Sequence, residues 1–293
     1  MKAVNNKHNC YVCPDCKSAL EPQTCSCCGR SYSVVDNIWV LYGSSDLANR
    51  YREIGRYYDE IYAKDAAVWE TVASRGPTFH RFIASLVSRF SPKRCLDIGC
   101  GQGFQLEALS CPEKYGLELS LIAAQAAARR SHATVCLGIS EELPFTADFF
   151  DAVTCIGVLT HLVDSKRALG EIRRVLKSGG VLVVGVCIRP GSLESAISKL
   201  VEFIYPRLRP LAFAKWAVDK LLGSSRRDVD SNSIQPRPQP IEHVRSPGEF
   251  EREFVSSGFL VEKVITKARN PSAPLSGSHF RVYILRRSQT SDK

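Results

Sequence analysis

The stretch Cys95-Leu96-Asp97-Ile98-Gly99-Cys100-Gly101-Gln102-Gly103-Phe104 decides the fold. A short apolar run ends on alternating glycines, the punctuation of a strand that turns sharply into a helix. Gly99 and Gly101 let the backbone approach a ligand closely, and the helix that follows begins with N–H groups that have no partner inside it. The spacing is Gly-x-Gly-x-Gly, not the Gly-x-Gly-x-x-Gly of dinucleotide loops, and Asp97 stands in the strand before it. A carboxylate at that place suits a ligand bearing an ammonium group better than a pyrophosphate.

Working outward, apolar runs alternate with helical spacing, which predicts βαβ units and a mostly parallel sheet. Seven strands are expected, at residues 94–99, 115–119, 134–137, 152–157, 181–187, 260–267 and 279–286. Glu118 closes the second strand 19 residues after Gly99, where a doubly wound fold places the carboxylate that accepts ribose hydroxyls. Between strands four and five, Ala168, Ile172, Val175 and Leu176 share one helix face, and Ser178-Gly179-Gly180 reads as the helix stop. Upstream, Tyr51, Ile54, Tyr58, Ile61 and Tyr62 recur at intervals of three and four, and Phe79, Phe82, Ile83, Leu86 and Val87 repeat the pattern after Gly76-Pro77. Beyond strand five, residues 193–222 are amphipathic and basic, and residues 223–240 are rich in Ser, Arg, Asp and Pro. A helical lid followed by a mobile loop is expected there, with a packing hairpin or an interfacial membrane helix as the other readings.

The N-terminal segment carries a second kind of pattern. Cys13-Pro-Asp-Cys16 and Cys25-Ser-Cys-Cys28 are separated by eight residues and lead into an alternating stretch from Ser31 to Leu41. Two Cys-x-x-Cys turns supply the four soft ligands that Zn²⁺ takes tetrahedrally, so Cys13, Cys16, Cys25 and Cys28 form a candidate structural zinc site, with Cys10 or Cys27 able to stand in. About 40 residues cannot bury an adequate core alone, and the metal would contribute to folding. The other six cysteines are scattered through apolar segments and read as small core residues in a reducing compartment.

Composition narrows the rest. Of 293 residues, 44% are hydrophobic and 24% charged, ordinary globular usage that excludes wholesale disorder and fibrous repeats. No apolar run approaches the roughly 20 residues of a membrane-spanning helix, and the N-terminus has no apolar signal core, so a cytoplasmic location is expected. Net charge is +9, and residues 186–293 carry 18 Lys/Arg against 11 Asp/Glu, a bias that could steer the chain towards an anionic partner.

As a set, the glycine loop, Glu118, Glu142-Leu-Pro-Phe145, the run from Phe150 to Leu162 and the run from Leu169 to Gly180 resemble the Rossmann-fold S-adenosylmethionine-dependent methyltransferases. The wording of residues 13–43 is similar to zinc ribbons of the Trm112 type, with Asn37 where a Gly is usual, a change Asn tolerates because it accepts positive φ. The implied architecture is α/β: a doubly wound, seven-stranded, mostly parallel sheet with a small N-terminal zinc ribbon and a helical insertion after strand five. The ribbon would span 1–43, helices covering the cofactor site 44–90, the methyltransferase domain 91–189 and 246–290, and the lid and loop 190–245.

The resemblance implies that Asp97, Gly99, Gly101 and Gly103 hold the methionine part of the cofactor, Glu118 the ribose and Leu119 one adenine face, with residues 155–157 from Cys155 on the methyl-transfer side. Relatives carry an Asp near the adenine amine where this chain has Gly138-Ile139-Ser140, so Ser140 or backbone must serve. Tyr57, Tyr58 and Tyr62 could close over the cofactor. Should the acceptor lose a proton, His161 and His243 are the candidate bases by type and place, each with a structural alternative as a capping, core or helix-starting residue. The expected acceptor is small or lipid-like, admitted under the lid, with possible membrane contact through 193–222 and protein contact through the ribbon. The competing reading is an RNA methyltransferase of the ribosomal guanine type. It is favoured by the basic C-terminal third but not by a ribbon with only 5 Lys/Arg against 4 Asp/Glu in residues 1–50. A non-catalytic adaptor is the third reading, and the oligomeric state is not legible.

Overall fold

A computed structural model of the protein describes residues 10–64, 77–189, 241, 243–266 and 280–288. The chain divides into two units, residues 1–188 with 240–293, and residues 189–239. Everything below belongs to the first; the expected amphipathic segment 193–222 and loop 223–240 lie outside the described residues.

The seven expected strands form, at β3 (Arg94–Ile98), β4 (Glu113–Glu118), β5 (Thr134–Leu137), β6 (Phe150–Ile156), β7 (Leu176–Cys187), β8 (Phe259–Ile265) and β9 (Phe280–Arg287). The sheet is larger than expected. The ribbon's hairpin, β1 (Ser33–Val35) and β2 (Ile38–Val40), joins its edge, giving nine strands in the order β1-β2-β5-β4-β3-β6-β7-β9-β8. Five neighbouring pairs are parallel and three antiparallel, so the expected seven-stranded, mostly parallel sheet is corrected to a nine-stranded mixed one. The physical reason is an unpaired edge. β5 would otherwise expose a row of backbone donors and acceptors, and β2 covers it in parallel register, Trp39 opposite Cys136 and Val40 opposite Leu137. The hairpin turn needs left-handed backbone at Asp36 (φ 49°) and Asn37 (φ 65°), which accounts for Asn in the position where glycine is usual.

The central strands are buried on both faces, as parallel strands between helices must be, and residues 181–184 of β7 are at most 1% exposed. α5 (Ser165–Val175) is capped by Asp164, whose side chain accepts from Arg167 N, and buries Ala168, Leu169, Ile172 and Val175. It ends three residues before the expected Ser178 stop, because Leu176 turns extended and pairs with Phe150. α1 (Asp46–Lys64), α2 (Pro77–Ser88), α3 (Phe104–Ala108), α4 (Leu121–Ser131) and α6 (Pro247–Ser256) complete the described helices. α1 packs on α4 and buries Tyr51, Gly55, Ile61 and Tyr62, most of the stripe its spacing predicts.

Candidate functional site

The glycine loop joins β3 to α3. Gly99, Gly101 and Gly103 all have positive φ (66°, 51° and 85°). At Gly103 a side chain is excluded twice, by the left-handed backbone and by α4, since a Cβ would lie 2.7 Å from Ala127 Cα. Two buried carboxylates flank this loop. Asp97 in β3, 3% exposed, accepts a 2.6 Å hydrogen bond from Thr154 Oγ1 on the neighbouring β6. Glu118 ends β4, 8% exposed; its Oε2 accepts from Gly101 N at 2.8 Å and its Oε1 from Ser120 N at 3.1 Å. Burial raises the Asp97 pKa to about 7 against the pull of the Thr154 hydroxyl, with Glu118 adding a smaller push in the same direction. Burial raises Glu118 as well, opposed by the backbone N–H groups it accepts. Two desolvated carboxylates beside a backbone without side chains form a cradle for a cationic, hydroxyl-bearing ligand.

α1 covers the loop. Gly55 lets the helix come close to the end of β4: a Cβ there would lie 2.7 Å from Leu119 O, and Tyr42 Oη donates to the same carbonyl at 3.0 Å. Tyr62 is 8% exposed, and a Cβ on Gly101 would sit 3.5 Å from its hydroxyl. Burial, then the Glu118 carboxylate, holds the protons of Tyr58 and Tyr62 on their oxygens. Tyr57 meets Tyr58 edge-on at 5.7 Å. Asp59, not singled out by its sequence context, accepts from Ser120 Oγ at 2.5 Å and Ile122 N at 3.1 Å, satisfying the start of α4.

Ser140 is buried and donates to Glu141 Oε2 at 3.0 Å. Glu141 is a functional candidate that pattern reading missed. It is 1% exposed, and its Oε1 accepts from Tyr51 Oη at 2.7 Å. A carboxylate therefore stands one residue after the Gly138-Ile139-Ser140 segment; two adjacent glutamates before Leu-Pro-Phe look like a solvated turn, and only burial separates them from one. Cys155 is fully buried opposite Ile98, and its thiol is pushed up by that burial. His161 closes the 3-10 turn Leu159–His161 after β6, with Nδ1 2.7 Å from Ile241 O. His243 is exposed; its backbone N–H donates to Thr160 O at 2.7 Å, and it precedes α6 by four residues.

The second cluster is in the ribbon. The sulfurs of Cys13, Cys16, Cys25 and Cys28 lie within 4.8 Å of one another, Cys13 to Cys28 at 3.7 Å and Cys16 to Cys25 at 3.3 Å. With Zn–S near 2.3 Å, a tetrahedral Zn²⁺ needs sulfurs about 3.8 Å apart, and these match. Cys27 N and Cys28 N both point at Cys25 Sγ, at 3.4 and 3.5 Å. Cys10 and Cys27 stand outside this group.

Residues 96–184 match a family model described as a methyltransferase domain. That domain resembles an uncharacterized protein of Methanocaldococcus jannaschii, 41% identical over 92 residues, 31% of this chain and 36% of that one. A demethylmenaquinone methyltransferase of Thermobifida fusca is 31% identical over 147 residues, 47% of this chain and 54% of that one. The chain thus spans about half or less of the length of these curated relatives. In fold it is similar to the Burkholderia thailandensis 1,6-didemethyltoxoflavin-N1-methyltransferase solved with S-adenosylhomocysteine, with a TM-score of 0.53 and 16% identity over 89% of this chain and 97% of that one.

Proposed function

We propose that this protein is an S-adenosylmethionine-dependent methyltransferase for a small-molecule acceptor, built around a structural zinc ribbon. The observation that carries it is the pair of buried carboxylates, Asp97 and Glu118, on neighbouring strand ends beside three glycines of positive φ. When bound, S-adenosylmethionine supplies a sulfonium methyl group for displacement by an acceptor. Asp97 faces its ammonium end, and Glu118, already oriented by two backbone N–H groups, offers its carboxylate to the ribose hydroxyls. Leu119, Ile139 and Ser140 would border the adenine, and the buried Glu141, which accepts from Ser140, would supply the carboxylate that relatives carry as Asp. α1 excludes water, and Tyr58 and Tyr62 face the Glu118 charge. Holding acceptor and methyl group in line is worth about 7–11 kcal/mol of barrier, so no protein nucleophile is needed.

A small acceptor fits the named activities of the similar proteins, which act on a quinone precursor and a toxoflavin precursor. A lipid-like acceptor and peripheral membrane contact rest on the segment outside the described residues; among those described, no helix is long and apolar enough to cross a membrane. The four thiols fit a structural Zn²⁺ that fills all its positions with protein sulfur. Thiolates kept reduced for a metal go with a cytoplasmic setting. Calorimetric titration of the zinc-loaded protein with S-adenosylhomocysteine tests the reading. Glu118→Ala removes a charged hydrogen-bond partner, which costs about 1.5–3 kcal/mol and weakens binding by roughly 10- to 100-fold. Folded wild-type protein that binds neither S-adenosylmethionine nor S-adenosylhomocysteine would refute it. Salt-sensitive retention of RNA by that protein would redirect the search to a nucleic-acid acceptor.

A further inference from the structure

The turn Leu159–His161 begins three residues after the carboxyl end of β6, and open α/β sheets bind their ligands outside the carboxyl ends of their strands. His161 Nδ1 stands 2.7 Å from the carbonyl oxygen of Ile241, a residue only 9% exposed. A carbonyl accepts and cannot donate, so Nδ1 carries the proton. The neutral ring then keeps its lone pair on Nε2. The backbone supplying that carbonyl is itself held. His243 N donates to Thr160 O at 2.7 Å, Arg245 pairs with Ile188 in a parallel bridge, and the Arg245 guanidinium is clamped three ways. It meets Glu253 at 2.9 Å and Ser165 Oγ at 3.1 Å, and lies over the Phe250 ring at 4.4 Å.

We propose that His161 Nε2 takes the proton of the methyl acceptor, and that the Ile241 carbonyl, fixed by the Arg245 clamp, is the positioning group that selects the tautomer able to do so. This rests on the methyltransferase reading above. It narrows the acceptor to a group that loses a proton on methylation, such as a phenolic or enolic hydroxyl, and argues against a thioether. In the step, the acceptor O–H proton passes to Nε2 while the oxygen lone pair forms the bond to the methyl carbon. The carbon–sulfur bond breaks with its electron pair going to sulfur, and the imidazolium afterwards releases its proton to water. His243 is less suited, being exposed, and the hydrogen bond it makes to Thr160 comes from its backbone.

The test is long-range ¹H–¹⁵N NMR of the histidine rings in the full chain, His161 being assigned by its loss in His161→Asn. Expected is a single tautomer with Nδ1 protonated and Nε2 unprotonated; the opposite tautomer, or an averaged pair in the wild type, overturns the proposal. Arg245→Ala is expected to release the strap and average the two nitrogens, with Glu253→Gln as the milder variant should the first not fold. Unchanged ring signals in a folded strap variant also overturn it. S-adenosylhomocysteine titration keeps the two readings apart. His161→Asn, which retains a donor for the Ile241 carbonyl, is expected to bind within about twofold of wild type. Lost binding in that variant alone makes His161 a structural residue and sinks the proposal, whereas wild-type protein that does not bind removes the methyltransferase reading and with it the assignment of a base.

Discussion

On one flank of the site, residues 143–146 lie along the ribbon's first knuckle: Val12 N donates to Pro144 O at 3.1 Å, Thr146 N to Cys10 O at 2.9 Å, and Lys17 Nζ to Leu143 O at 3.3 Å and Glu171 at 2.7 Å. On the other flank, the turn Leu159–His161 is held by one side chain and one backbone bond to residues 241 and 243. The first flank borders the proposed adenine edge and has nothing to gain from moving. The second borders the proposed acceptor side, where an incoming molecule would be admitted and a proton carried away. Many-bonded support from the ribbon on one side and a lighter strap on the other is the division expected if the first side holds the proposed cofactor and the second handles the proposed substrate.

The sharpest way to break that comparison is to take the metal away. If β2 and the Cys13 knuckle are continuous with the sheet, chelation or Cys25→Ser is expected to lower the melting temperature of the whole unit in one calorimetric transition. A loss of several kcal/mol corresponds to roughly 10 °C in a domain of this size. Two separate transitions would make the ribbon an independent appendage. Next in size is Gly103→Ala, in which a left-handed backbone and the 2.7 Å approach to Ala127 combine for about 2–4 kcal/mol of destabilisation. Gly170→Ala inside α5, where an added Cβ meets nothing within 4 Å, is the internal control and is expected to stabilise by about 0.5–1 kcal/mol. If urea melts place the two substitutions on the same side of wild type, the cradle argument is wrong.

Tyr51 joins the two flanks. Its hydroxyl donates to Glu141 on the adenine side and accepts from Val163 N at 2.9 Å on the acceptor side. Tyr51→Phe takes the shortest of its donors from the buried Glu141 carboxylate and leaves the Val163 N–H without its tyrosine acceptor, an expected loss of about 1–3 kcal/mol in chemical denaturation. A stability-neutral Tyr51→Phe that leaves S-adenosylhomocysteine affinity untouched would mean that the flanks are not coupled through this residue.

What was legible in the sequence follows a physical rule. All seven core strands and the positive-φ glycines were readable because each is a local signal, a period or a residue type that one backbone conformation demands. The same holds for the four sulfurs, whose spacing fixes a turn before any tertiary contact forms. The ribbon's place as strands β1 and β2 of the main sheet was not readable, since edge pairing of β2 with β5 joins segments about 100 residues apart and neither carries a mark of its partner. Glu141 and Asp59 escaped for a related reason: a hydrogen-bonded polar residue looks like a surface one until its partners are in place. His161 was nameable by type and position, but its tautomer depends on a carbonyl 80 residues away.

The smallest expected effect concerns pH. Burial raises the Asp97 pKa to about 7, so below that pH the carboxyl is neutral and the cradle lacks the charge that an ammonium group needs. The sign for stability follows directly: a carboxyl whose folded pKa lies above its unfolded value of 3.8 favours the fold at low pH, and that contribution is lost as pH rises from about 4 through about 7. Ligand binding runs the other way, because a bound cation favours ionised Asp97. S-adenosylhomocysteine affinity is therefore expected to rise with pH up to about 7, approaching tenfold per unit on the acid side, or about 1.4 kcal/mol, with one proton released on binding. Titration between about pH 5.5 and 7.5, where the ligand's amino group remains charged, reads this slope, and Asp97→Asn should flatten it. A slope that survives in Asp97→Asn would move the titrating group to Glu118, which burial also raises, and would leave Asp97 as a partner of Thr154 alone.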